Sequence, residues 1–420
     1  MISVSICSPT MDIAAAWADL TKRASPNVFM DPAALTAANE TRFAEVHVLL
    51  AWEEGEAPRK LLGVWALQMR KIAPFWPAVL EALPYNYAFL SSPVIDPGFI
   101  DEVVAAFFAA IEKNLGLPNV INLPSLNAES PDYDAIIRAL AARGGEQLRF
   151  AESVRPVVTR EFGVKRSGST RKKLRQDWNR LSALGSVDIV NDRAPDAVQE
   201  AFESFLALEA GSWKGTRGTA LLCDERDAAF VRRLVSGLSE RGNASVALLR
   251  IDGAAIAAQV LMYCGTMAYT WKTAFNSDYA KYSPGALLID KITEELFATP
   301  GIDAIDSCSA EGSFMAQLWT GRRKMVDLLI AVGPGKSLGF TVESGRQFGY
   351  RQLRDLRNRL RAGIWALHPK SGRPSRSAKF MRVGANPALD QADQLTIGLR
   401  ARSKLLRSSV AGFIRFSGRD

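Results

Sequence analysis

Residues rich in β-formers at 45–52 and at 61–70, joined by a charged turn at 53–60, predict two consecutive strands. A third strand is expected over 87–95. Pro97-Gly98 then opens a helix running to Asn114, followed by a strand at 120–123 and a helix at 132–142. The same order recurs later in the chain. Strands at 244–251 and 254–263 flank Asp252-Gly253, a tight hairpin signal. A third strand follows at 266–275, and Pro284-Gly285 opens a helix through Ala298. A strand at 302–307, a helix around 313–323 and a strand at 325–332 complete the second unit. This weak duplication predicts two tandem mixed α/β domains, at 1–160 and 161–335, with an appendage at 336–420.

Three helices are expected between the repeats. The first, 169–184, carries Arg171, Lys172, Lys173, Arg175 and Arg180 and stops at Gly185. The second, 196–210, keeps Val198, Phe202, Phe205, Leu206 and Leu208 largely on one face and leads into Ser212-Trp213-Lys214-Gly215. The third, 224–241, closes at Gly242.

Composition narrows the chemistry. A chain of 420 residues exceeds one comfortable core, which agrees with two domains. Four separated cysteines (Cys7, Cys223, Cys264, Cys308) form no CxxC and suit a reducing compartment. The two histidines, His47 and His368, lie in no zinc or triad motif, so neither a metal nor a histidine-based nucleophile is expected. Residues 1–20 lack a basic start followed by an apolar run, and no stretch nears the roughly 20 apolar residues of a membrane span; the expectation is a cytoplasmic protein. Net charge is +8, but residues 341–420 hold 17 Lys/Arg against 5 Asp/Glu, so the basicity belongs to the tail.

The best site candidate is the junction of the third strand of the second unit with the following helix. A helix start presents unpaired N–H groups and the positive end of a dipole, suited to a phosphate or a thioester carbonyl. Ser283, Pro284, Gly285 and Ala286 form that start; the alternative is an ordinary cap at Ser283. Trp271, Lys272 and Thr273 lie on the strand feeding it, and Trp213-Lys214 forms a second Trp-Lys pair at a helix end. Lysine supplies a point charge for phosphate or carboxylate, and tryptophan a flat wall. Asp306, on the next strand, is the candidate proton acceptor or else a structural acceptor for backbone N–H groups, with Glu209 and Tyr282 as further candidates for positioning or proton transfer. Arg171 and Arg175 could grip a phosphorylated substrate, or simply solvate a helix face.

In combination these residues resemble a known family. The run 169–180 (STRKKLRQDWNR), Leu208-Glu209 with Ser212-Trp213-Lys214-Gly215, Trp271-Lys272, the stretch 279–285 (YAKYSPG) and Asp306 resemble the CelD/BcsL-like acetyltransferases of the GNAT superfamily, associated with cellulose and other exopolysaccharide synthesis. The two-domain layout also looks like the Fem-type aminoacyltransferases, which carry tandem GNAT-like folds. The resemblance implies an acyl-CoA donor along 271–275, with its pyrophosphate at 283–287. The glycine-rich loop usual in GNAT enzymes is reduced here to Ser283-Pro284-Gly285. The first repeat, which lacks the Trp-Lys features, is assigned to acceptor binding or scaffolding.

The expected function is therefore N-acyl transfer from acetyl-CoA to an amino sugar, or to its lipid- or nucleotide-linked precursor, without a metal. The alternatives are Fem-type aminoacyl transfer to a peptidoglycan precursor and a catalytically silent GNAT-like regulatory protein. In the tail, Tyr350, Leu353, Leu356, Leu360, Ile364 and Leu367 share one arc of a predicted helix at 345–367, and a second basic amphipathic stretch spans 395–416. The expectation is that the first helix docks on the body. Peripheral contact with anionic membrane at its inner face, or binding of an anionic regulator such as a cyclic dinucleotide, stays open. Nucleic acid is not expected, because aromatics are not interleaved with the tail's arginines.

Overall fold

The computed structural model describes residues 1–367, except 56–58, 72, 74 and 166. The first half runs β1 (Ile2–Cys7), α1 (Ala14–Leu20), α2 (Pro32–Glu40), β2 (Val46–Glu53), β3 (Leu61–Arg70), β4 (Val79–Glu81), β5 (Val94–Ile95), α3 (Ile100–Lys113), β6 (Val120–Asn127), α4 (Pro131–Arg143) and β7 (Glu146–Thr159). Next come α5 (Ser169–Ser182), β8 (Val187–Val190), α6 (Pro195–Ala210), α7 (Trp213–Thr216) and α8 (Glu225–Ser239). The second half closes with β9 (Ala244–Ile251), β10 (Ala254–Cys264), β11 (Met267–Phe275), α9 (Pro284–Ala298), β12 (Ala304–Asp306), α10 (Met315–Leu318), β13 (Gly321–Ala331) and α11 (Leu338–Leu367).

All of these strands join one mixed sheet, ordered β1-β2-β3-β4-β6-β13-β7-β12-β11-β10-β9-β8, with β5 on β3. Each half contributes its last long strand to the other. β7, from the first half, pairs antiparallel with β12, while β13, from the second, pairs antiparallel with β6. The two strands then pair with each other along Glu146–Thr159 and Gly321–Ala331. The architecture is thus two mixed α/β halves joined through an exchanged pair of strands.

Several expectations meet a physical override. The strand foreseen at 87–95 is mostly irregular. Pro93 cannot donate to a ladder, and Tyr87 is buried as an aromatic anchor instead. Strand pairing in that region falls to β4, which lies parallel to β6. The helix foreseen around 313–323 shrinks to α10, because β13 begins at Gly321 to follow β7. The hairpin at Asp252-Gly253 is as expected, with both residues at positive φ.

One apolar core joins α1–α4 and the first-half strands to α6, α8 and one face of β10 and β11. A second core, on the opposite face of β9–β12, is closed by α5 and α9. β11 therefore lies between two cores, and any departure from its regular alternation redirects side chains from one to the other.

Candidate active site

That departure occurs at Trp271. Pairing of β10 with β11 runs Leu261↔Thr270 and then Val260↔Lys272, leaving Trp271 as an extra residue with no cross-strand partner. A bulge of this kind shifts the two-residue period by one. Tyr269 and Trp271 belong to the core shared with the first half. Beyond the bulge Lys272 and Ala274 turn to that same side, whereas Thr273 and Phe275 face the start of α9, where they lie beside Gly285. Parallel pairing with β12 covers only Met267–Tyr269, so Trp271–Phe275 has a strand neighbour on the β10 side alone.

On the first-half side, three of the predicted residues converge. Glu209, buried at the end of α6, accepts from Lys214 Nζ at 2.8 Å and from the Leu221 backbone N–H at 2.9 Å. Burial alone would raise the Glu209 carboxyl, but Lys214 and Lys272 outweigh it and hold the group below its ordinary value. Lys272 is itself buried, its ammonium 4.5 Å from the Tyr87 ring centre and 5.4 Å from that of Trp271. Trp213 sits half-exposed at the rim, with Arg217 over its ring. The α7 turn requires its glycine: a Cβ at Gly215 would fall 1.7 Å from the Ala210 carbonyl oxygen.

Tyr87 and Asp227 complete this cluster and were not foreseen. The Tyr87 hydroxyl donates to Asp227 at 2.8 Å, and its carbonyl accepts from the Trp271 indole at 2.9 Å. No local pattern marks Tyr87, because it comes from the irregular 82–93 segment, more than a hundred residues from its partners. The first half therefore supplies a wall of the site.

On the opposite side, Ser283 takes a left-handed conformation at φ 53° and starts α9 through Pro284. Its side chain does not cap the helix. It accepts from Lys173 Nζ on α5 at 2.9 Å, while the Ser283 carbonyl receives the Ala286 N–H at 2.9 Å. Tyr282 is buried, with Arg180 5.3 Å and Lys281 5.0 Å from its ring centre. The basic helix α5 thus lies against the helix start, bringing Lys173 and Arg180 to Tyr282-Ser283. Arg175 is exposed on the same helix. Arg171 is otherwise employed: it bonds the Lys165 carbonyl and pairs with Asp290, anchoring α5 to α9.

The Asp306 carboxylate is held by other partners, on a strand that pairs with Tyr269 two residues before the bulge. It is fully buried; one oxygen accepts from Arg323 at 2.7 Å, and the other accepts from the Cys308 N–H at 2.8 Å with Arg155 3.6 Å away. A carboxylate compensated in this way ties β12 to β7 and β13, and protonating it would strip both arginines of their counter-charge.

Residues 168–312 match the family model described as the acetyltransferase (GNAT) domain. No curated protein matches the chain in sequence. Among solved structures, FemX is similar in fold over 72% of this chain and 88% of its own, with a TM-score of 0.52 at 11% identity. L-PGS from Bacillus licheniformis aligns over 80% of this chain and 95% of its own, with a TM-score of 0.48 at 12% identity. The second half of the chain thus carries a GNAT acyltransferase domain, and the enzyme class is acyl transfer.

Proposed function

We propose that the chain transfers an acyl group from acetyl-CoA to the amine of an amino sugar, or of its lipid- or nucleotide-linked precursor, in cell-envelope or exopolysaccharide synthesis. One observation carries this reading: β12 stops opposite Tyr269, so among the described residues the edge of 271–275 away from β10 has no strand neighbour, beside the bulge at Trp271 and the helix start at Pro284. The donor arm lies along that edge, and the bulged backbone offers an N–H to its carbonyl oxygen. Its pyrophosphate meets the first turn of α9, where Lys173, Arg175, Arg180 and Lys281 add positive charge. The acceptor approaches from the Trp213, Lys214, Glu209 and Lys272 side, against the wall given by Tyr87. Its neutral amine attacks the thioester carbonyl carbon, the C–S bond breaks, CoA leaves as thiolate, and the amine proton passes to water. Placing the two reactants together supplies most of the acceleration. Asp306 holds the strands that frame the site, Lys272 stabilises developing negative charge, and Glu209 keeps the two lysines in place.

A second reading, aminoacyl transfer of the Fem type, is favoured by the fold likeness to FemX and by the Ser283-Pro284-Gly285 start that replaces a glycine-rich loop. Turnover assays with acetyl-CoA or aminoacyl-tRNA as donor, each against a panel of amino sugars and peptidoglycan precursors, separate the two. Thiol release with acetyl-CoA and an amino sugar supports the first reading. Transfer with aminoacyl-tRNA alone replaces it with the second.

A further inference from the structure

The direction in which α11 faces departs from the usual rule for a surface helix, which buries its apolar stripe. Its inward side carries Phe340, packed near Val79, Val120 and Leu329, but also buried Glu343, which accepts from Gln347 at 2.9 Å and pairs with Arg346. Arg351 lies over the Phe150 ring at 5.1 Å. The outward side is apolar. Leu338 is 80% exposed, Leu353 68% and Leu356 54%, and at 3.6 residues per turn the three fall within about 60° of one another. Phe348, 65% exposed, extends the stripe. The apolar arc expected to dock on the body thus faces away from it among the described side chains.

A second apolar element stands beside it. Phe75 is fully exposed and Trp76 partly so, in the loop between β3 and β4. A Cβ at Gly339, in the first turn of α11, would come 3.9 Å from Pro77, which brings that loop to the exposed end of the helix. Exposed Lys71, Lys336 and Arg357 border these groups, and the 341–420 segment carries 17 Lys/Arg against 5 Asp/Glu. Among the described residues, no helix is long and apolar enough to cross a membrane.

We propose that Phe75, Trp76 and the outward face of α11 form one surface that lies on an anionic lipid bilayer. Apolar side chains enter the headgroup boundary while lysines and arginines meet lipid phosphates, the combination that holds peripheral helices at interfaces. Charge complementarity selects this occupant: a face flanked by Lys71, Lys336 and Arg357 on a cationic segment repels a second copy of itself and attracts an anionic surface.

The test is co-sedimentation of the full chain with vesicles of equimolar phosphatidylglycerol and phosphatidylcholine, against phosphatidylcholine alone. The expected result is selective binding to the anionic vesicles, weakened by salt. A Phe75→Ser, Trp76→Ser double variant should lower partitioning by about tenfold or more, because it removes the exposed apolar surface of the loop. The variant should retain turnover of a soluble acceptor, so that loss of binding is distinguished from failure of the proposed active site. Unchanged partitioning of the variant would remove the loop from the surface. Failure of a monomeric chain to bind anionic vesicles would mean that another segment of the chain covers the face. A dimer that buries Phe75 would assign the face to a second copy, and either result overturns the proposal.

Discussion

The indole of Trp271 donates to the carbonyl oxygen of Tyr87 at 2.9 Å across 184 positions of sequence, fixing the bulge of β11 to the first half of the chain. Trp271 is the residue left without a cross-strand partner, so the bond holds the irregular point of the strand. Replacing Trp271 with Phe removes this donor and leaves a small void. Stability should fall by about 1–3 kcal/mol, measured by urea unfolding, and transfer should weaken together with it.

Lys272 reaches the side of Glu209 and Tyr87 only because of the bulge. A Lys272→Met change keeps most of the side-chain volume and removes the charge. Turnover should drop on the order of 100-fold with little loss of secondary structure, checked by steady-state kinetics and circular dichroism. Undiminished turnover would take Lys272 out of the site.

These two residues also mark the limit of what the sequence discloses. Alternation in 266–275 makes β11 legible, and Pro284 makes the start of α9 legible. The regular period, however, puts Trp271 and Lys272 on opposite faces. The inserted residue that changes this depends on pairing with β10, which local composition does not encode. Likewise β7, charged and interrupted by Pro156, reads poorly as a strand because its partners β12 and β13 lie far along the chain. The convergence of Glu209, Lys214 and Lys272 was approachable, since all three lie in the motif carrying the family resemblance. Tyr87 and Asp227 carried no such signal.

Asp306 was expected either to accept a proton or to serve as a structural acceptor, and its carboxylate is held by Arg323, Arg155 and the Cys308 N–H. Asp306→Ala leaves Arg155 and Arg323 without their buried counter-charge and should cost about 3–5 kcal/mol of stability, read by denaturant titration. A variant that unfolds like the parent and yet loses turnover would restore the proton-acceptor role.

Asp132, in the first turn of α4, is 3% exposed, and burial pushes its carboxyl from 3.8 up to about 7. Between those values the folded state binds a proton that the unfolded chain releases, so this group lowers stability as pH rises through that window. Asp132→Asn should therefore remove that loss and raise the melting temperature at pH 8 relative to the parent, with little difference at pH 4. A variant no more stable than its parent at pH 8 would contradict the assignment.

Gly285 faces Thr273 and Phe275, and an added Cβ would lie 3.5 Å from each, an ordinary contact. Gly285→Ala should fold normally, whereas Gly285→Val should weaken acetyl-CoA binding by about tenfold or more while shifting the melting temperature by only a few degrees. Isothermal titration of both variants checks this. Equal affinities would move the donor away from the helix start.

Amide hydrogen exchange with and without acetyl-CoA shows whether the donor rests on β11 and the start of α9. Slowed exchange is expected at the Trp271–Thr273 amides and at that of Gly285, with little change along β13. Protection confined to other elements, or none at either segment while acetyl-CoA is bound, would contradict that placement.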